Sequence, residues 1–256
     1  MVNKHFTFKK TIYTVIPLLF WLLIWQLGAM LIGNSFLLPD IPDTASAFIA
    51  IISNHGLQFL AAVLLTLLRV LFGLVFGIAA GTVFAVLSHH FPLIRAIISP
   101  AISVIKATPV ASFIIILWIL LSGDALSIFI AFLMVMPIIW QNLIDGYDSI
   151  DRDLIEISTV YELSFKTKMR VLIIPTLLRY LIPAIITSVG LAWKSEIAAE
   201  IIAYTRNSIG QYVNDAKYFM DYAGVFAYTI VVIALSILFE KSAKFLLRRC
   251  EKWLSQ

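Results

Sequence analysis

Five ionisable side chains interrupt long apolar runs in this chain: Arg69, Lys106, Lys194, Glu196 and Glu200. Charge at membrane depth is costly, so such groups face a bundle interior, water or a partner. The chemistry open to them is ion pairing or the handling of a charged solute. Lys194 and Glu196 are two residues apart and point to different sides of one helix, so a direct pair is not expected. Glu196 and Glu200, four apart, share a face. Arg69 and Lys106 suit either structural pairing or snorkelling to headgroups. Met134 and Met136 offer soft surface, either along a pathway or as core filler.

Bond-making chemistry has no comparable support. His5, His55, His89 and His90 fall in tails or loops, no H-E-x-x-H occurs, and no Ser or Cys sits in a nucleophile motif. The chain has no G-x-x-x-x-G-K-[ST] phosphate loop, and the dipeptide Gly-Lys never occurs. Cys250 is the single cysteine, which rules out a disulfide framework and a thiolate metal site. No catalytic residue, metal site or cofactor is therefore expected in this chain.

The elements that must position these charges follow from composition. Hydrophobic residues make up 61% and charged residues 13% of the chain, and the mean hydropathy is +0.96. Soluble domains carry about 25% charged residues. The chain therefore reads as an all-α integral membrane protein, because its apolar runs are too long for barrel strands and lipid excludes other unpaired backbone. Six spans are expected, near 12–32, 59–87, 93–121, 125–144, 177–203 and 223–239. The first is a retained anchor, lacking an A-x-A-like cleavage site. Residues 1–58 form an N-terminal anchor and external amphipathic segment, and 59–256 a core of five spans.

Basic residues set the orientation. With the N-terminus cytoplasmic, the inside holds Lys4, Lys9, Lys10, Arg95, Arg152, Lys166, Lys168, Arg170, Arg179, Lys241, Lys244, Arg248, Arg249 and Lys252, and the outside only Arg206 and Lys217. Both termini and the 151–175 loop are then cytoplasmic. The pI near 9.1 is a topology signal and implies no nucleic acid.

The loop from Asp151 to Pro175, between spans 4 and 5, is the longest charged interruption. Asp153 can cap a first helix, 153–162, with Glu156 in a capping-box relation. Ser164 can cap a second, followed by Lys166, Lys168 and Arg170, and Pro175 sits at the mouth of the next span. The expected result is a helix, a bend and a helix at the membrane surface. On the first helix Ile157, Val160 and Tyr161 share a face.

Elsewhere, Gly73, Gly77 and Gly81 form a small-residue seam for close helix contact. Pro100, Pro109 and Pro137 are expected to break or bend spans three and four. Between Gly33 and Gly56 a short surface helix capped near Asp43 or Thr44 is expected, and 204–222 reads as a polar, aromatic external loop.

The 151–175 loop resembles the cytoplasmic EAA loop of permease subunits in binding-protein-dependent ABC importers. Glu156, Ile157 and Ser158 occupy the E-A-A positions, Glu162 the glycine position and Pro175 the proline. The resemblance extends to the nitrate, sulfonate and taurine branch through TLLRVLFGLVFGIAAG (66–81), the Pro100 to Pro109 stretch, the Pro137 segment, LAWKSEIAAE (191–200) and the basic C-terminal tail. Two departures stand out: Ile157 and Ser158 replace alanines, and Glu162 replaces a glycine, so a modified bend is expected there.

The resemblance implies a bacterial inner-membrane permease that does not itself hydrolyse ATP and that couples a translocation pathway to ATP hydrolysis on separate subunits. Asp153, Glu156, Ile157, Ser158, Val160, Tyr161, Glu162 and Pro175 would engage two ABC ATPase subunits, which hold ATP and Mg. An external substrate-binding protein, a permease homodimer and a small anionic substrate such as a sulfonate or nitrate, or a vitamin precursor, are also implied. Lys194 stands where relatives are usually apolar and, with Glu196, Glu200 and Met134, is a candidate pathway residue. A self-contained carrier or channel is the competing reading; it would show an internal repeat with paired broken helices, and none is evident.

Overall fold

The computed structural model describes residues 2–254. The side chains of Lys4, His5, Lys9, Lys10, His55, Arg152, Arg248, Cys250 and Lys252 lie outside the described residues. The described chain is helical: α1 (Val2–Ile32), α2 (Ile41–His90), α3 (Pro92–Ala107), α4 (Val110–Trp118), α5 (Gly123–Asp148), α6 (Arg152–Val160), α7 (Phe165–Lys168), a π-helical turn (Met169–Ile173), α8 (Ile174–Ile202), α9 (Ile209–Tyr218) and α10 (Tyr222–Leu254).

The chain divides into two units, one of Met1–Leu60 with Tyr212–Val232, the other of Ala61–Gln211 with Ile233–Gln256. In the first, Trp25 Nε1 donates to the Pro39 carbonyl at 3.0 Å, and Gln26 Oε1 accepts from the Ile41 amide at 3.0 Å. The second bond satisfies one of the orphan donors at the start of α2. Asp40 supplies the cap, its Oδ1 accepting from the Asp43 amide at 2.8 Å. The expected surface helix is therefore not a separate element. The cap lies upstream of Asp43 and nothing in TASAFIAIIS breaks the helix, so this run forms the first turns of a 50-residue α2. Phe59, Tyr212 and Tyr228 form an aromatic cluster with centroids 5.2 to 5.6 Å apart. Burial raises the Tyr212 phenol, with Asp215 adding to the effect. The expected 204–222 loop thus contains α9.

In the second unit α5 is the central helix. The α2 glycines meet it in steps of four: a Cβ at Gly73 would collide with Ala131, one at Gly77 would lie 2.6 Å from Val135 Cβ, and one at Gly81 2.8 Å from Ile139 Cβ. Residue numbers rise together along this seam, so α2 and α5 run parallel. Between α5 and α8 the order reverses, with Gly146 against Leu177 and Tyr180 and Leu126 and Ile130 against Ala199 and Ala203. α5 and α8 are antiparallel.

The expected third span is broken. α3 and α4 meet at 104°, because Pro109 has no N–H, clashes with the preceding turn and holds Thr108 extended at φ −83°, ψ 132°. Pro100 and Pro137 stay inside α3 and α5 and terminate neither. The bent pair still runs the length of α5. Arg95 on α3 pairs with Asp148 at the end of α5 at 2.7 Å, while Ile114 on α4 packs on Leu126 and Ile130 near its start. Two parallel helices joined through residues 91–122 require that traverse. Five helices are long and apolar enough to span a membrane, and the bent pair taken as one span makes six; the last helix runs well past its expected end at 239. His89 and His90, expected in a loop, are the final residues of α2.

Candidate functional site

The 151–175 loop forms the two short helices expected of it, with different ends. Asp151, not Asp153, caps α6: its carboxylate accepts from the Asp153 amide at 2.9 Å. The extended residue that a cap requires falls at 151, which leaves Asp153 in the first turn, still favourable to the helix dipole. α6 ends at Val160, two residues short of Glu162. The expected modified bend does not occur. Glu162 adopts φ +51°, its amide donates to Thr159 O and the Leu163 amide to Ser158 O, each at 3.0 Å. These are the paired bonds of a Schellman motif, so a glutamate takes the conformation that glycine usually fills.

Ser164 caps α7, its Oγ accepting from the Thr167 amide at 3.3 Å. α7 does not end at a bend before the span. It continues through the π-helical turn, where the Ile174 amide bonds to Met169 O, into α8 with Pro175 as its second residue. Pro175 has no amide to offer the preceding turn, which fits a wider turn there. The helical run that contains span five therefore begins at Phe165, well before the expected 177.

Ile157 and Val160 of α6 and Tyr161 at its C-cap are exposed, at 51%, 81% and 75%, while Ser158 is buried. Asp153 and Glu156 are exposed. A short helix capped at both ends thus presents an apolar face that the described residues leave exposed.

At the other end of α5 and α8 lies a buried charge cluster. Arg69 of α2, 5% exposed, donates from Nη1 to Glu200 Oε1 at 2.8 Å and from Nε to Asp124 Oδ1 at 2.9 Å. Its remaining donors reach the carbonyls of Arg206 at 3.2 Å and Asn207 at 3.4 Å. Glu200 is fully buried and also accepts from Thr66 Oγ1 at 2.8 Å and from the Gly210 amide at 3.1 Å. A Cβ at position 210 would collide with Glu200, so this approach requires glycine. The arrangement ties α2, α5, α8 and the start of α9 through one guanidinium, a planar fork suited to several acceptors at once.

The remaining candidates separate. Glu196 and Glu200 share a buried face as expected, but among the described residues no hydrogen-bond partner meets either Glu196 carboxyl oxygen. Lys194 is exposed on the outside of α8, and Lys106 on α3. Met134 is buried in α5. Asp124 was not singled out from the sequence; its one local signal is a place in the first turn of a span. Among the described residues no group of three or more His, Cys, Asp or Glu side chains could hold a metal ion.

A family described as "Binding-protein-dependent transport system inner membrane component" matches residues 73–252. The chain belongs to this family. The permease is 24% identical to the taurine transport system permease protein TauC of Escherichia coli over 90% of its own length and 84% of that protein. It is 26% identical to the nitrate import permease protein NrtB of Synechococcus elongatus over 83% of its length and 79% of that protein. Among solved structures it resembles an amino acid ABC transporter crystallised with histidines, with a TM-score of 0.65 at 16% identity, over 80% of this chain and 97% of that one. The multi-pass fold and the sulfonate, taurine and nitrate branch expected from the motifs are thus both met.

Proposed function

We propose that this ABC importer permease subunit couples transport to ATP hydrolysis on separate ATPase subunits through α6. The observation that supports this most is the uncovered face of Ile157, Val160 and Tyr161 on a helix whose two ends are both fixed. Apolar side chains at i, i+3 and i+4 are the anchors of helix-in-groove docking, and a helix rigid at both ends can transmit a push to α5 and α8. The partner subunits would hold ATP and Mg, and the loop would be cytoplasmic with both termini.

The pathway would lie between two copies of this chain. Lys194 supports this, because an exposed lysine on a membrane helix is tolerated where it meets water or a partner. Glu196, Glu200 and Met134 would then stand behind it as bundle residues. The substrate is a small anion of the sulfonate or nitrate class, delivered by an external binding protein. Replacing Ile157 and Tyr161 together with alanine should release the ATPase from the purified complex while leaving the permease folded. Retained co-purification with transport-coupled hydrolysis would sink the reading.

A further inference from the structure

The break between α3 and α4 lies part-way along α5, between the Arg95–Asp148 pair at one end and the contact of Ile114 with Leu126 and Ile130 at the other. Lys106 stands in the last turn of α3, about 16 Å beyond Arg95 at a rise of about 1.5 Å per residue. A bilayer core is about 30 Å thick, so Lys106 and Pro109 stand near its middle.

Three faces run along α3. Ile94, Ile98, Ile102 and Ile105 are buried or half-buried, and the helix packs on α5. Leu93, Ile97 and Val104 form an exposed apolar face, suited to lipid. Arg95, Ser99, Ser103 and Lys106 recur at helical spacing as a third, polar face. Ser99 is half-buried and the other three are exposed.

The Ser103 hydroxyl donates to the Ser99 carbonyl at 2.9 Å and by itself demands nothing of its surroundings. Lys106 does. No acid pairs with it among the described residues, and its stem is too short to carry an ammonium from mid-core to the headgroups.

The backbone makes the same demand. Pro109 has no N–H to offer the Ile105 carbonyl, and no side chain caps the start of α4. Lys106, Ala107 and Pro109 are exposed and Thr108 is half-buried. Irregular backbone at membrane depth persists only where protein buries it or where it lines a water-filled cavity. The described residues do not bury this break.

We propose that the α3–α4 break and the polar face from Arg95 to Lys106 border a water-filled space at mid-depth, with Lys106 as the cation this chain presents to it. Water hydrates the ammonium and the freed carbonyl together, and lipid can serve neither. That this space is the translocation pathway, where a passing solute meets Lys106, rests on the permease reading; the presence of water there does not.

The test is thiol accessibility in the full-length permease in nanodiscs. The single cysteine is removed by Cys250→Ser, and Ser103→Cys, Lys106→Cys, Ile97→Cys and Val104→Cys are introduced one at a time. A charged methanethiosulfonate should modify positions 103 and 106 at least about tenfold faster than 97 and 104, because the reacting thiolate forms in water. Equal rates at all four positions, or slow reaction at either 103 or 106, would overturn the proposal and place lipid or a second copy of the chain against the break. Ser103→Cys exchanges an oxygen for a sulfur, so the comparison with 97 and 104 still decides the matter if Lys106→Cys does not assemble. Labelling is read without ATPase or substrate and so stands apart from the permease reading. If 103 and 106 react fast but modification at 106 leaves transport by the reconstituted importer unchanged, the water-filled space stands and its assignment to the pathway falls.

Discussion

Arg69 and Glu200 lie 131 residues apart in sequence and meet at 2.8 Å in the interior of the bundle. Glu200 is fully buried with Arg69 as its ion-pair partner, and without Glu200 the buried Arg69 keeps only the mostly solvated Asp124. Truncating one member of such a buried pair costs about 3–5 kcal/mol, because the survivor remains charged and enclosed. Glu200→Ala should therefore lower the melting temperature in detergent far more than Asp124→Ala, whose carboxylate is mostly solvated. Arg69→Lys should not rescue, since a single ammonium cannot reach two carboxylates and two carbonyls.

The glycine seam predicts a position-dependent response to one methyl group. Gly77→Ala places a Cβ against Val135 and should destabilise by about 1–3 kcal/mol through overpacking. Gly56→Ala, also helical but with open space around it, should be neutral or gain about 0.5–1 kcal/mol from reduced chain entropy. Thermal unfolding of the two variants side by side checks the contrast.

At Glu162 the expected sign is opposite to that of most substitutions. Glu162→Gly relieves a left-handed conformation worth about 1 kcal/mol or more while keeping both Schellman bonds. Amide hydrogen exchange at Glu162 and Leu163 should slow in this variant and quicken in Glu162→Val. Faster exchange with glycine would argue that the glutamate side chain itself holds the turn.

The two caps of α6 can be separated by the same measurement. Asp151→Ala should cost the helix about 1 kcal/mol and raise exchange across residues 152–160. Asp153→Ala removes only a dipole contribution of about 0.3–1 kcal/mol, and its effect should be smaller.

Short-range features are legible in the sequence. Long apolar runs, the cap at Ser164, the proline at 175 and the small-residue step at 73, 77 and 81 all act within a few residues of themselves. The structure departs from them where a wider context overrides local preference. Glu162 disfavours a left-handed turn by itself, yet the chain on both sides is helical and must reverse there. Asp43 is a good cap in isolation, but Asp40 with Gln26 starts the helix earlier. Pro100, Pro109 and Pro137 have the same chemistry, and only Pro109 breaks its helix.

By itself the sequence determined that this chain is built of helices long and apolar enough to span a membrane and carries a capped two-helix loop, because hydrophobic length and end-capping are short-range free energies. Only the tertiary structure decided that α2 and α5 run parallel on a glycine seam, that Arg69 is spent on Glu200 and Asp124, and that Lys194 stays outside. Those outcomes depend on which faces dock, and the energy that selects them, close packing and the pairing of charges removed from water, exists only once distant helices have met.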